Sequence, residues 1–420
     1  MKLQSVDEPC HNRAVHGAER TTKRKAYASI LGLVCLALGF LMSCSSSSSS
    51  SSRSSTPPPL SHTTRYLVVT DYYNDRVLIY DSPFSTGENA SVVLGQNQFT
   101  TAGGGTTATQ MALPNSTAED NEGNLYVSDS LNNRVLQFNP PFTNGMAASL
   151  VIGQPDLTTG TAHTTQNGLN IPWCVAFDGS SNLWVSDGAN YRILQYKPPF
   201  ANGMNASLVI GQPNFTSNLP SGPPYSYGLP TSNSGLDGPN QIAFDASGDL
   251  WVADLENNRV LEFEPPFANG MAASLVIGQT DFVSYGGATT ASAFEGPFGV
   301  AFDSAGNLWV ADEGNSRVLQ FNPPFSTGMS ASLVLGQANF TAGSYGLAQN
   351  EMRAPFEIGF DSSGNLYVAD YANDRTLQFA PPFSNDQNAS LVLGKPDFTT
   401  GGEQTSATGQ SQPTGAAPAF

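Results

Sequence analysis

From Leu67 onward, apolar residues fall in short runs broken by Gly, Asn, Asp and Pro, a pattern of brief strands and tight turns. One stretch shows the unit. Gly299 to Phe302 reads as a short apolar strand ending at Asp303, and Asp303-Ser304-Ala305-Gly306-Asn307 has the residues of a tight hairpin. Leu308 to Ala311 is a second strand, and Asp312 to Ser316 the next turn. Arg317 to Phe321 alternates polar and apolar positions until Pro323-Pro324-Phe325 stops it, because proline cannot donate to a central ladder. Ser332 to Leu335 is a fourth strand before Gly336-Gln337, and a polar loop over 338–352 leads to Pro355 and a new unit.

The unit repeats. Arg76, Arg134, Arg192, Arg259, Arg317 and Arg375 lie 58, 58, 67, 58 and 58 residues apart. Five residues before each stands Asp71, Asp129, Asp187, Asp254, Asp312 or Asp370, and two before each stands an asparagine. Six four-stranded meanders that cannot stand alone predict an all-β fold, a six-bladed β-propeller with antiparallel blades. In the first strand Phe177, Phe244, Phe302 and Phe360 each follow a small residue, so a bulky face can meet a slim one across a seam. The aromatic of the second strand (Tyr126, Trp184, Trp251, Trp309, Tyr367) is expected to be a blade spacer, not a glycan platform. The Asp-Asn-Arg set is expected to tie the turn through the planar guanidinium, a structural role.

The first repeat is short of one strand. Leu67 to Asp71 matches a second strand, but its partner would fall on Pro58-Pro59-Leu60-Ser61. Counting 58 on from Pro355 lands on Pro413, so Thr414 to Ala417 is expected to supply the inner strand of the first blade and close the ring.

At Gly306 to Asp312, with Asn315 and Arg317 to Phe321, the chain resembles the NHL-repeat family of propellers, and the likeness recurs over about residues 66–400. The resemblance covers the fold-making Asp, Asn and Arg positions. It implies a propeller whose family holds protein- and RNA-binding modules, sensor domains and a zinc-dependent lyase; related propellers include metal-dependent lactonases. The Pro-Pro-Phe and Ala-Ser-Leu-Val-Ile-Gly-Gln insertions make each unit longer than the usual family repeat, as in an exported bacterial subgroup.

Composition narrows these options. A formal charge of -17 opposes binding to nucleic acid, which takes clustered Lys and Arg. Residues 1–43 read as a leader: Lys23-Arg24-Lys25, an apolar run from Ala26 to Met42, and then Ser43-Cys44. This resembles a lipoprotein signal with lipidation at Cys44, followed by a Ser/Pro-rich tether over 44–62 and the propeller over 63–420. The expected location is the bacterial cell envelope, with the chain held to a membrane by its lipid. Cleavage would leave 31 acidic and 11 basic side chains and only one unmodified thiol, Cys174, so no disulfide framework is expected. Cys174 reads as a small buried hydrophobe.

Candidate chemistry lies where the blades differ. The two residues after each opening proline are Asn115-Ser116, Trp173-Cys174, Asn240-Gln241, Phe298-Gly299 and Phe356-Glu357. Asn115, Trp173, Asn240, Gln241 and Glu357 are the ligand-binding candidates at one tunnel mouth. Glu357, Asn115 and Asn240 are the expected ligands if a calcium ion sits there, since the two histidines left after cleavage, His62 and His163, cannot build a histidine-rich zinc site. The favoured reading is a binding module for a protein, glycan or small molecule. The alternative is a metal-dependent hydrolase or lyase working at the tunnel mouth.

Overall fold

The computed structural model describes residues 66–222 and 231–419; the leader, Cys44, the tether and part of the long loop before the fourth blade lie outside them. Six four-stranded antiparallel sheets stand around one axis. In the fifth, β16 (Pro297–Phe302) is innermost, followed by β17 (Leu308–Asp312), β18 (Arg317–Phe321) and β19 (Leu333–Leu335). The inner strands β4 (Pro114–Glu119), β8 (Pro172–Phe177), β12 (Pro239–Phe244), β16, β20 (Pro355–Phe360) and β24 (Pro413–Ala419) touch in ring order.

Local chemistry sets each turn. At the first hairpin Asp303 accepts from Ala305 N (3.0 Å) and Asn307 N (2.9 Å), and Gly306 takes the left-handed φ of 79° that closes it. Its other carboxylate oxygen accepts from Trp309 Nε1 at 2.9 Å, so the indole is bonded at its polar end and buried elsewhere. Trp309 then packs on Phe360 (5.6 Å) and Phe383 (4.7 Å) of the next blade. Trp184 and Trp251 do the same, so these tryptophans are seam spacers with no ring face open to a sugar.

The ring closes as the register predicts. β24 pairs with β1 (Tyr66–Asp71) from Tyr66↔Ala419 to Asp71↔Pro413, completing the blade with β2 (Arg76–Asp81) and β3 (Val92–Leu94). The closing seam is partly polar. Gln410 occupies the place of Met111, Leu169 and Met352 in other blades, donates to Tyr80 Oη (3.1 Å) and accepts from Thr376 Oγ1 (3.1 Å). A satisfied polar network of this kind fixes one register at the place where the two chain ends must find each other.

Candidate functional site

Each blade carries a buried clamp. Asp312 Oδ2 accepts from Arg317 Nε and Asn315 Nδ2, both at 2.8 Å, and Oδ1 accepts from Glu295 N at 2.7 Å on the incoming loop. Arg317 also donates to the Thr290 (2.8 Å), Ala293 (3.0 Å) and Phe340 carbonyls. One guanidinium therefore holds the loop entering its blade and the loop leaving it. All six Asp–Arg pairs are fully buried, at 2.6 to 2.8 Å. Burial pushes Asp71, Asp129 and Asp312 up to about 6, and the arginine beside each opposes that rise. The clamps are structural, and the loops they hold form one face.

Each inner strand opens with a register shift after its proline: pairing resumes at the third residue in four blades, as between Pro114 and Thr117 or Pro239 and Ile242, and at the second in the others, at Gly299 and Gly415. The two residues after each proline sit at this irregularity, at the tunnel axis. They form two rings, and the sequence candidates divide between them.

The first ring holds Asn115, Trp173, Asn240, Phe298, Phe356 and Thr414. Trp173 stacks with Phe298 (6.2 Å, 11°), Phe298 with Phe356 (3.8 Å, 18°), and Phe356 with Tyr371 (3.9 Å, 4°). This aromatic stack reaches across from the third blade to the sixth and caps that end. Gly188 makes room for it, since a Cβ there would lie 3.1 Å from the indole. The Asn115 carbonyl accepts from Thr70 and Thr414 hydroxyls, both at 2.8 Å, and that of Asn240 from Ser186 Oγ at 2.6 Å. Their side chains are left over: Asn115 Oδ1 and both amide atoms of Asn240 are buried without a partner.

The second ring holds Ser116, Cys174, Gln241, Gly299, Glu357 and Gly415. Gln241 is spent on structure. Its Oε1 accepts from Val300 N (2.9 Å) and Ile358 N (3.2 Å), and its Nε2 donates to the Ile358 carbonyl (2.9 Å). Glu357 bonds to Ser116 and Cys174, while its Oε1 is buried and unpartnered. Burial holds the Glu357 carboxyl well above its ordinary range, and burial together with Glu357 raises the Cys174 thiol, which is no thiolate nucleophile. Two glycines admit these side chains. A Cβ on Gly299 would lie 2.9 Å from Gln241 Oε1, and one on Gly415 2.9 Å from Glu357 Oε2.

Beyond the second ring the tunnel widens to a cavity of about 240 Å³ that includes Ser116, Cys174, Gln241 and Glu357 but no first-ring residue. Its other walls run to Phe177, Phe360 and Pro418, and exposure rises along the inner strands in that direction.

The NHL repeat profile matches residues 236–263 and 294–321, the first three strands of the fourth and fifth blades with the residues just before them. The chain is a six-bladed β-propeller that carries NHL repeats in two blades. No curated protein sequence matches it. Among solved structures, a chain of a nidogen/laminin complex aligns at 14% identity over 84% of this chain and 97% of its own, TM-score 0.48. A protein of unknown function from Bacteroides caccae aligns at 11% over 85% and 99%, TM-score 0.47. A streptogramin B lyase aligns at 13% over 65% and 70%, TM-score 0.36.

Two features of this propeller escaped the sequence reading. Tyr371, from a turn and not from an inner strand, completes the cap; its spacing from Phe356 gave no signal. In the fourth blade Asp249 and Glu262 replace the Asn and Gln of other blades beside Asp245, and the three carboxylates lie within 4.8 Å of one another. Burial, with the neighbouring acids, pushes Glu262 up to about 6. Comparing the repeats position by position would have found this trio.

Proposed function

We propose that this propeller is a protein-binding module and that its binding face is the capped end. The observation that carries this is the grouping of exposed apolar side chains on the loops around the aromatic cap. Leu219, Val283, Tyr285 and Tyr345 are 44, 64, 45 and 57% exposed on the loops that lead into the fourth, fifth and sixth blades. Tyr73 adds a fifth from a turn at the same end. Single exposed apolar residues are ordinary, but several on the clamped loops of one end, one of them (Tyr345) stacked under the Arg353 guanidinium at 4.7 Å, favour that end as a docking surface. Charge adds the chemistry of the partner. Residues 66–419 hold nine Lys and Arg, of which six are buried in the clamps, so the surface field is that of carboxylates and favours a basic protein surface. Lipidation at Cys44 would present this face outside the cytoplasm at the cell envelope.

A photo-crosslinking residue at Tyr285 or Tyr345 should capture a defined partner in the native host, in a salt-sensitive way. The same residue at Asn121 or Asn182, on hairpins at the other end, should not. Equal capture from both ends would refute the proposal, and a glycan that binds at Tyr285 without any protein cross-link would replace the partner class.

A second reading rests on Asn115 Oδ1, Asn240 Oδ1 and Glu357 Oε1, buried oxygens without partners that match the donors a hard cation takes. Calcium held by these residues would supply Lewis acidity for a hydrolase or lyase. The cap bars substrate from the first-ring end, so access would come through the cavity. Calorimetric calcium uptake that Glu357→Gln abolishes supports this reading; no uptake removes it.

A further inference from the structure

We propose that the blind cavity beneath the cap is a binding site for a small primary amine with an apolar body, entered from the face opposite the docking surface. It stands apart from the protein-binding reading, because it uses a different end of the molecule and none of the exposed loop residues.

Shape comes first. The cap closes one end and the second ring forms a floor, leaving about 240 Å³ open toward Phe177, Phe360 and Pro418. A dry protein cavity of about 150 Å³ accepts benzene, so this one takes a ring or short chain with a polar terminus. The walls between mouth and floor include Val175, Ala176, Ile242, Ile358 and Ala416, which offer an apolar body no hydrogen bonds to lose.

The floor selects the polar end. Its groups are the Glu357 carboxyl, the Ser116 hydroxyl and the Cys174 thiol, with Gln241 already committed to backbone. Among the described residues, no Lys, Arg or His lines the cavity. A ligand carboxylate would bring a second acid against Glu357 without any compensating cation. An ammonium supplies the charge that Glu357 lacks. It carries three donors; the floor groups that can take them are the Glu357 carboxyl, whose Oε1 has no partner, and Ser116 Oγ and Cys174 Sγ, which are bonded to each other and to the Val175 backbone and keep acceptor capacity beyond those bonds. The Glu357 proton leaves to solvent as the amine binds, and a desolvated charge pair with hydrogen bonds on both sides takes its place. Gly415 and Gly299 are part of the construction: a methyl group at Gly415 would push on Glu357 Oε2, and one at Gly299 on Gln241.

The test is calorimetry on the full chain in EDTA, which separates this site from calcium binding. Benzylamine, benzyl alcohol and benzoate are the probes. Benzylamine should bind about ten-fold or more tightly than benzyl alcohol, and benzoate not at all. Glu357→Gln, nearly isosteric, should bring benzylamine down to the level of the alcohol and leave the alcohol unchanged. Ala176→Leu should block both from the wall without touching the floor. Equal affinities for amine and alcohol, an unchanged amine affinity in Glu357→Gln, or no binding of benzylamine would each overturn the proposal.

Discussion

Replacing Arg259 by Lys separates charge from shape in the clamp. Arg259 donates Nε to Asp254 Oδ2 at 2.7 Å and Nη1 to the Phe282 carbonyl at 2.6 Å. Its Nη2 reaches the Ser232 and Gly235 carbonyls at 2.9 and 3.0 Å. A lysine keeps a positive charge beside Asp254, but a point ammonium cannot reach carbonyls on two separate loops. Three carbonyls left short of a donor, that of Gly235 buried and those of Phe282 and Ser232 partly so, cost about 1 kcal/mol each, so Arg259→Lys should lose about 3 kcal/mol. Asp254→Asn keeps the shape and buries a guanidinium without its counter-charge, at about 3–5 kcal/mol. Urea unfolding followed by tryptophan emission measures both, since Trp184, Trp251 and Trp309 are fully buried in the seams. Amide exchange adds a local readout: Val283 to Tyr285 should exchange faster in Arg259→Lys, because the Phe282 carbonyl is the tether of that loop. If Arg259→Lys unfolds within about 0.5 kcal/mol of the parent, well under one buried hydrogen bond, the clamp works by charge alone and this reasoning fails.

Deleting residues 409–420 should open the first blade and cause aggregation through the bared β1 edge, visible as oligomers by light scattering; a monomer of unchanged stability would refute the clasp. Glu357 gives a pH signature. Its carboxyl keeps a proton in the native state that the unfolded chain loses above the ordinary value of 4.5, so its contribution is full below that value and declines as pH rises, by about 1.4 kcal/mol per unit until the native group ionises. Glu357→Gln should therefore gain on the parent in urea midpoint between pH 5 and pH 7, and parallel profiles would contradict a buried neutral acid. Cys44→Ala should leave the chain out of the membrane fraction and unlabelled by radioactive fatty acid, whereas normal fractionation would remove the anchor from the picture.

What was legible in the sequence is what repeats. Asp312, Asn315 and Arg317 recur because each blade must pin two loops with one guanidinium, and no other side chain has enough donors in a fixed plane to do so. The clasp was legible for the same reason: Pro413 keeps the register of Pro355 even where the strand after it has lost its Phe to Pro418. The candidate site was legible only as a set of positions. That Asn115, Trp173, Asn240, Gln241 and Glu357 lie at the axis followed from their place after the proline. Which of them face a ligand did not follow, because neighbours on other blades decide it: Gln241 is consumed by the backbones of the next two blades, and Trp173 by a ring two blades away.

The same register shift explains why this propeller can carry a site at all. A symmetric ring of ladders offers the axis six equivalent faces, and a ligand that is not six-fold symmetric gains nothing from them. By releasing two residues in four of the inner strands and one in the other two from backbone pairing, the shift makes these positions free to differ without cost to the blade. The chain uses that freedom unevenly. Aromatic rings in the third, fifth and sixth blades close one end, and an acid in the sixth blade crosses the axis to Ser116 and Cys174 in the second and third. The glycines at 299 and 415 then show that the crossing is built in, since the blades that do not contribute a side chain give up a Cβ to admit their neighbours'. An unpaired Glu357 oxygen in such a place costs stability, and a chain that needed only a plugged tunnel would meet that need with another leucine. The side chain therefore points to a ligand, and Glu357→Leu makes the argument testable: it should raise the urea midpoint at pH 7 while abolishing benzylamine binding, and a less stable Leu variant would mean that the acid is there to hold the fold.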